Sequence, residues 1–202
     1  MTHEAIFASL MTDDLTGRAR LRSVFVERAA TEGLIDVAYR SLDTPLGELL
    51  LAATTGGVVR VALPNESRDT VLQELADAVS PRILEEPLRL DDAARELSEY
   101  FDGKRRGFDL AVDLRLSHGF RRQVLERLRR IPFGETLSYS AVASSSGHPG
   151  ASRAVGTACA TNPVPLIVPC HRVVRSDGSI GNYAGGERAK RFLLDLESRQ
   201  AG

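Results

Sequence analysis

Long apolar runs are missing from this sequence of 202 residues. No stretch approaches the roughly 20 residues that a membrane-spanning helix requires, and the first residues do not combine a basic stretch with an apolar one, as a secretory signal does. We therefore expect a protein without a membrane span, located in the cytoplasm. With 43% hydrophobic residues, the chain has enough apolar side chains for the core of one large or two small domains.

Cysteine is also scarce. The two cysteines, Cys159 and Cys170, are too few for a disulfide framework or for a cysteine-rich zinc site. We expect both to be free thiols in a reducing compartment, and the sequence indicates neither a metal nor another cofactor.

A large excess of either charge is absent, because the formal net charge is −1. The charges are nevertheless unevenly distributed: residues 1–100 carry 18 Asp and Glu against 10 Lys and Arg, whereas residues 101–202 carry 9 against 16. A basic C-terminal half favours contact with a polyanion such as DNA. A solvated surface of mixed charge explains the same counts equally well, so composition alone leaves both interpretations open.

Residues 1–34 form a leader to which we assign no function. A helix is predicted at residues 12–31 from apolar residues that recur at helical spacing. These residues are Leu21, Val24, Phe25 and Ala29. We expect this helix to pack on the body of the protein.

Residues 35–115 are predicted to form an α+β support domain. Extended segments separated by turns indicate a small antiparallel sheet, which is followed by two helices, the second ending before Gly103, and one more short strand. The predicted strands are residues 35–42, 48–54, 58–63 and 108–114, and the predicted helices are residues 68–79 and 91–101.

Residues 116–202 are predicted to be mostly helical and to carry the functional site. A helix at residues 118–130 presents several arginines on its outer face. Two short helices follow at residues 139–145 and 151–160, separated by a turn rich in glycine and proline, which is typical of a DNA-binding helix-turn-helix. Such helix pairs also occur in proteins that do not bind DNA.

The second of these short helices has few long polar side chains. Ser152, Ala154 and Gly156 are small, and Arg153 is the one long polar residue near its start. A helix that reads base edges in the major groove needs several hydrogen-bonding side chains. The composition instead favours close approach of the backbone in the minor groove, with Arg153 probing the base stack. A small-residue helix packed inside the protein is the alternative.

The strongest candidate for chemistry is Cys170 with His171, after an apolar segment at residues 164–168 that is predicted to be a strand. A thiol needs a nearby base or positive charge to form the nucleophilic thiolate. Neighbouring side chains of an extended segment point in opposite directions, so His171 needs a turn or a bridging water to reach the sulfur. A carboxylate of the last helix, residues 186–197, is a candidate to orient it. The alternative is an inert buried cysteine beside a core histidine.

Three segments together resemble the methylated-DNA–protein-cysteine methyltransferase family, also called O6-alkylguanine-DNA alkyltransferases. They are Pro169-Cys170-His171-Arg172-Val173, Gly181-Asn182-Tyr183-Ala184-Gly185-Gly186 and Lys190-Arg191-Phe192-Leu193-Leu194-Asp195-Leu196-Glu197, with Arg153 and Asn162-Pro163 upstream. The resemblance extends from about Val37 to Glu197. It implies an N-terminal module of ribonuclease H-like architecture, followed by a mostly helical C-terminal module with a helix-turn-helix.

The resemblance implies a catalytic role for five residues. Cys170 is the alkyl acceptor, His171 removes its proton through a water, and Glu197 orients His171. Asn162 steadies the same hydrogen-bond network. Tyr139 donates a proton toward the purine ring as the base leaves.

The resemblance also implies a base pocket and a DNA-binding surface. The flipped base is contacted by two side chains and by the backbone at two further residues. The DNA contacts lie on the predicted helix at residues 151–160, and its Arg153 takes the place of the extruded nucleotide. The base contacts are Pro165, Tyr183, Val173 and Ala184, and the DNA contacts are Arg153, Ser152, Ala154 and Gly156.

The implied function is direct reversal of DNA damage. An alkyl group passes irreversibly from O6-alkylguanine, and also from O4-alkylthymine, in double-stranded DNA to Cys170 after base flipping. Because the product is a thioether without an acyl carbon, no turnover is expected. The protein is expected to be a monomer, with cooperative binding to DNA left open.

Two other functions are alternatives to this one. A non-reactive lesion sensor binds damaged bases, but family members of that kind lack the acceptor cysteine, whereas Cys170 is present. A thiol hydrolase built on Cys170 and His171 leaves the helix of Arg153 unexplained.

Within the family, some relatives hold zinc through N-terminal cysteines, but no cysteine precedes Cys159 here. Ala160, Cys159 and Ala184 occupy positions at which some relatives have arginine, a larger apolar residue and serine, respectively.

Overall fold

The computed structural model describes residues 17, 20, 21 and 23–201. Its N-terminal part contains a sheet of four strands, β1 (Val37–Thr44), β2 (Gly47–Thr54), β3 (Gly57–Ala62) and β4 (Ile83–Glu85), in the order β3-β2-β1-β4. The first three strands form the predicted antiparallel meander, but β4 is parallel to β1, so the sheet is mixed. Helix α2 (Arg68–Ala78) joins β3 to β4 and supplies the crossover that strands running in the same direction require.

The two faces of the sheet pack on different elements. On β2, Leu50 and Ala52 belong to a small cluster with Val71 and Leu75 of α2. Side chains that alternate with these, such as Leu49, belong to the main core on the opposite face. The main core also contains helix α3 (Asp91–Phe101) and the helices of the C-terminal part, so one core connects the two parts of the chain.

Two predicted strands are wrong. Residues 108–114 do not form a strand and pair with β3 through a single bridge, between Val112 and Val58. Farther along the same strand, Val61 N donates instead to the carbonyl of Pro163. Residues 164–168 form turns, and Leu166 lies in the left-handed region with φ of 74°. Prolines in and beside this segment have no N–H to offer a sheet.

The leader contributes helix α1, which is helical at residues 23–31 and at the described positions 17, 20 and 21. The predicted helix began at residue 12, which lies outside the described residues. The prediction that its apolar stripe packs on the body is wrong in part. Ala29 is buried, whereas Leu21, Val24 and Phe25 are more than half exposed because no described element covers that face.

The C-terminal part is mostly helical, as predicted. Helices α4 (Gly119–Leu128), α5 (Tyr139–Ser145), α6 (Ser152–Ala160) and α7 (Gly186–Ala201) lie within three residues of the predicted boundaries, except that α7 is four residues longer at its end. Two-residue strands β5 (Leu137–Ser138) and β6 (Val173–Val174) pair in parallel and bring the start of α5 beside the segment that follows Cys170. Among the described residues, no helix is long and apolar enough to cross a membrane.

Candidate active site

Cys170 opens a single 3₁₀ turn, Cys170–Arg172, rather than continuing an extended segment. Its side chain is buried, and Asn162 Nδ2 donates a hydrogen bond to Sγ over 3.2 Å. Burial raises the pKa of the Cys170 thiol to about 11, and the Asn162 hydrogen bond and the charge of Lys190 oppose that rise. The resting sulfur is therefore a protonated thiol at neutral pH, and it needs a base in order to react.

Asn162 connects the thiol to the loop that precedes it. The same Nδ2 donates to Val168 O over 2.9 Å, and Oδ1 accepts from Val164 N over 3.0 Å. These bonds close the segment around Leu166, whose left-handed backbone costs energy in a residue other than glycine. One buried amide thus fixes both the path of the loop and a donor at the sulfur.

His171 is the base nearest in sequence, and its ring is fully buried. The Nε2 atom lies 2.9 Å from Glu197 Oε1, so the carboxylate selects the tautomer with the proton on Nε2. Nδ1 is left as an acceptor, and it has no partner among the described residues. Burial lowers the pKa of His171, although Glu197 opposes this, so the ring is neutral at pH 7 and able to take a proton.

Glu197 is buried and receives donors from three residues besides His171. Arg172 Nε and Nη2 each lie 2.9 Å from one of its oxygens, Tyr100 O–H donates over 2.7 Å, and Gly134 N–H donates over 3.1 Å. Burial alone would raise the pKa of Glu197, but the bonds from His171 and Arg172 outweigh it and hold the pKa well below its ordinary value. The carboxylate is therefore a fixed negative charge beside His171.

Three residues of this network had no role in the sequence-based interpretation. Arg172 and Lys190 lie in the quoted motifs, yet their residue types did not reveal what they bind. Lys190 is fully buried, and its Nζ donates to the carbonyls of Val173 and Asn182. Tyr100 lies 97 residues before Glu197, and no motif marks it.

A cleft of about 310 Å³ adjoins Lys190, because two residues that line it, Asn182 and Tyr139, contact the Lys190 ammonium. Tyr139, at the start of α5, contributes a half-buried ring, and its O–H lies 3.4 Å from Asn182 O. Burial raises the pKa of Tyr139, which keeps the hydroxyl protonated and able to donate. The other residues that line the cleft are Ser152, Arg153, Gly156, Ala160, Arg175, Gly181 and Asn182.

Helix α6 presents its predicted DNA-binding residues at the surface. Arg153 and Ala154 are exposed, and Ser152 and Gly156 are partly exposed. The buried side of the helix is formed by Val155, Ala158 and Cys159. The alternative of a helix packed wholly inside the protein does not hold. Arg175, which the sequence did not single out, also lines this cleft.

The predicted base contacts do not all open on one cavity. Pro165 and Ala184 line a second cavity of about 400 Å³, which Ala160 and Asn162 also line. Tyr183 is buried, its ring lies 6.4 Å from that of His171, and its O–H has no partner among the described residues. The Val173 carbonyl accepts from Lys190, which leaves it one lone pair for another donor.

A buried thiol, a neutral imidazole held by an ionised carboxylate, and a tyrosine donor beside an arginine-bearing helix are the groups that a protein with a cysteine nucleophile requires. Residues 37–114 match the ribonuclease-like domain of 6-O-methylguanine DNA methyltransferase, and residues 119–199 match the DNA-binding domain of the same family. The chain therefore belongs to the methylated-DNA–protein-cysteine methyltransferase family, as its motifs predicted.

Individual relatives agree with this assignment. The constitutive methylated-DNA–protein-cysteine methyltransferase of Bacillus subtilis is 38% identical over 160 residues, which cover 79% of this chain and 94% of that protein. The crystal structure of the Mycobacterium tuberculosis O6-methylguanine methyltransferase superposes with a TM-score of 0.72 at 36% identity, covering 82% of this chain and 95% of that one. A second M. tuberculosis structure, in complex with DNA, has a TM-score of 0.71 over 81% and 94% of the two chains.

Proposed function

We propose that this protein repairs alkylated DNA by transferring the alkyl group of O6-alkylguanine to Cys170. The observation that carries the proposal is the pairing of two adjacent residues, Cys170 with Asn162 and His171 with Glu197, in a chain that also presents a cleft lined by Tyr139 and Arg153. Family membership makes methylated DNA the expected alkyl donor. O4-alkylthymine, which also carries an alkyl group on a ring oxygen, is proposed as a second substrate.

In the proposed reaction, His171 Nδ1 takes the thiol proton through a bridging water, and Cys170 Sγ attacks the saturated alkyl carbon. A carbon–sulfur bond forms while the bond from carbon to O6 breaks, and its electron pair passes to the purine. Tyr139 gives its proton to the ring as this bond breaks. The purine is a poor leaving group as an anion, so this proton lowers the barrier. The fixed charge of Glu197 stabilises the imidazolium that forms.

The damaged base has to leave the duplex, because Cys170 is buried and a stacked base cannot present its alkyl carbon to it. The exposed small residues of α6 allow the backbone to approach the minor groove, and Arg153 fills the space of the extruded nucleotide. Arg175 offers a second cation to the phosphates at the same cleft. Pro165, Tyr183, Val173 and Ala184 are proposed to surround the flipped base.

The thioether product contains no bond that water readily hydrolyses, so each molecule reacts once. Incubation with excess duplex containing O6-methylguanine should add one methyl group to the peptide that contains Cys170, with one equivalent of guanine restored per protein. A Cys170→Ala variant should transfer nothing, and Cys159→Ala, which removes the other thiol, should leave the stoichiometry unchanged. Repair of more than one equivalent, or repair without a methylated Cys170 peptide, would overturn the proposal.

A further inference from the structure

Tyr100 links the N-terminal part of the chain to the catalytic network. It lies on α3, its ring is fully buried, and its O–H donates to Glu197 Oε1 over 2.7 Å. The same oxygen is the acceptor for His171 Nε2 over 2.9 Å. The tyrosine and the imidazole therefore share one carboxylate oxygen.

Donors other than Tyr100 also hold the carboxylate in place. Arg172 holds both oxygens with Nε and Nη2, and Gly134 N–H binds Oε2 over 3.1 Å. The hydroxyl of Tyr100 is an additional donor to a group that is already fixed. Its effect has to be sought in the charge that Oε1 presents to His171.

A carboxylate oxygen that receives a further hydrogen bond presents less negative charge to its other donors. The ring of Tyr100 also packs against Phe101, Phe108 and Phe133, with ring centroids 5.3 to 6.1 Å apart. This apolar contact keeps water from taking the place of the hydroxyl. Other titratable groups around His171 are Cys170, Arg172, Tyr183, Lys190 and Glu197.

We propose that Tyr100 is a positioning residue that shares Glu197 Oε1 with His171, weakens the hold of the carboxylate on the imidazole proton, and so keeps His171 neutral and ready to accept the proton of Cys170. The inference rests on the proposed role of His171 as the base. It gives the N-terminal part, none of whose described residues is hydrogen-bonded to Cys170 or His171, an influence on the chemistry.

The test is the protonation of His171 in the full-length Tyr100→Phe variant, which retains the ring and loses only the hydroxyl. With ¹⁵N-labelled histidine, the His171 ring signals are assigned by their loss in His171→Gln and then followed with pH by NMR. We expect the pKa of His171 to rise by roughly 0.5 to 1 in Tyr100→Phe. The proton should remain on Nε2, because Arg172 still orients Glu197.

Two comparisons separate this effect from a general change in packing. Tyr39→Phe also removes a hydroxyl from the N-terminal part, but Tyr39 packs on the small cluster beside α2, on the other face of the sheet. In Tyr39→Phe, the pKa of His171 should therefore equal that of the parent protein. In a Glu197→Gln background, Tyr100→Phe should have no further effect on His171. Parent-like titration of His171 in Tyr100→Phe, or an equal shift in both backgrounds, would overturn the inference.

The rate of methyl transfer gives an independent readout. In Tyr100→Phe, the acid limb of the pH–rate profile should move to higher pH by the same amount as the pKa of His171 measured by NMR. If the acid limb stays in place and the rate is lower at every pH, the role of Tyr100 is merely structural. If the parent protein does not methylate Cys170 at all, the proposed function fails. The NMR titration still decides whether Tyr100 controls the basicity of His171.

Discussion

The guanidinium of Arg172 and the carboxylate of Glu197 form a buried two-point ion pair, with Nε 2.9 Å from Oε2 and Nη2 2.9 Å from Oε1. Such parallel hydrogen bonds fix the plane of the carboxylate as well as its position. As a result, Oε1 faces His171 without any need for the imidazole to hold it there. The orientation of the base is thus set by the residue that follows it in the chain.

Replacement of Glu197 by Gln should impair both stability and reaction. The variant leaves the buried charge of Arg172 without its partner, and we expect the free energy of unfolding to fall by about 3 kcal/mol. The imidazolium also loses its stabilising anion, so the methyl-transfer rate should fall by about 100-fold. Urea denaturation and single-turnover kinetics measure the two effects.

Glu187→Gln is the matched control for this prediction. Glu187 lies on the same helix, and its contact with Arg191 over 2.8 Å is exposed to solvent. Exposed pairs contribute little, so the control should resemble the parent in stability and rate. A Glu197→Gln variant as stable as Glu187→Gln would show that the buried pair has no net effect on folding.

The buried thiol of Cys170 predicts a loss of stability at alkaline pH. Burial raises its pKa from 9.0 in the unfolded chain to about 11 in the folded protein. The stability that comes from the neutral thiol is complete below pH 9 and is lost as the pH rises toward about 11, by roughly 2 to 3 kcal/mol in total. Cys170→Ala removes this contribution, so the parent should lose more stability between pH 8 and pH 10.5 than the variant does.

Urea denaturation at several pH values measures this difference. Burial also raises the pKa of Cys159, so that thiol contributes to alkaline loss in both proteins and cancels in the comparison. Parallel stability curves for the parent and Cys170→Ala would contradict the prediction.

The sequence singled out the residues proposed to react, but not all of the residues that surround them. Cys170, His171 and Glu197 lie in recognisable motifs, and their chemistry restricts their roles. The contact of Tyr100 with Glu197 depends on how α3 packs against α7, and packing between distant segments leaves no local signal in a single sequence. Lys190 was visible in a motif, but its burial and its carbonyl partners follow from the tertiary structure alone.

The errors in secondary structure have the same origin. Apolar residues at 164–168 predicted a strand, yet Asn162 satisfies the backbone of this segment through its side chain, so no neighbouring strand is needed. Helices α3 and α5 were predicted with their observed boundaries, α3 from the glycine that follows it and α5 from the turn rich in glycine and proline that follows it. Local signals therefore located these helices, whereas hydrogen bonds from one buried side chain determined the path of the irregular segment.

Lys190 should be required for an organised acceptor site. Lys190→Met leaves the Val173 and Asn182 carbonyls without their shared donor, and we expect the methyl-transfer rate to fall by about tenfold. The positive charge of Lys190 also lowers the pKa of Cys170, so this pKa should rise in the variant. Thiolate absorbance followed with pH in a Cys159→Ala background measures the change.

Lys104→Met is the control for Lys190→Met. The side chain of Lys104 is 70% exposed and contacts Asp102 at the surface, so its loss should change neither the rate nor the titration of Cys170. A Lys190→Met variant that transfers methyl groups at the parental rate would exclude a role for the buried ammonium.

Tyr139 should contribute to the rate of transfer without contributing to binding or stability. Its hydroxyl has one weak contact among the described residues, to Asn182 O over 3.4 Å, and its ring keeps its place over Lys190 Nζ in Tyr139→Phe. We expect the unfolding free energy to change by less than about 0.5 kcal/mol and the transfer rate to fall by about 100-fold, because the purine leaves without a proton. Affinity for lesion-containing duplex, measured in a Cys170→Ala background, should remain that of the Cys170→Ala protein. A loss of affinity as large as the loss of rate would instead make Tyr139 a base-binding residue.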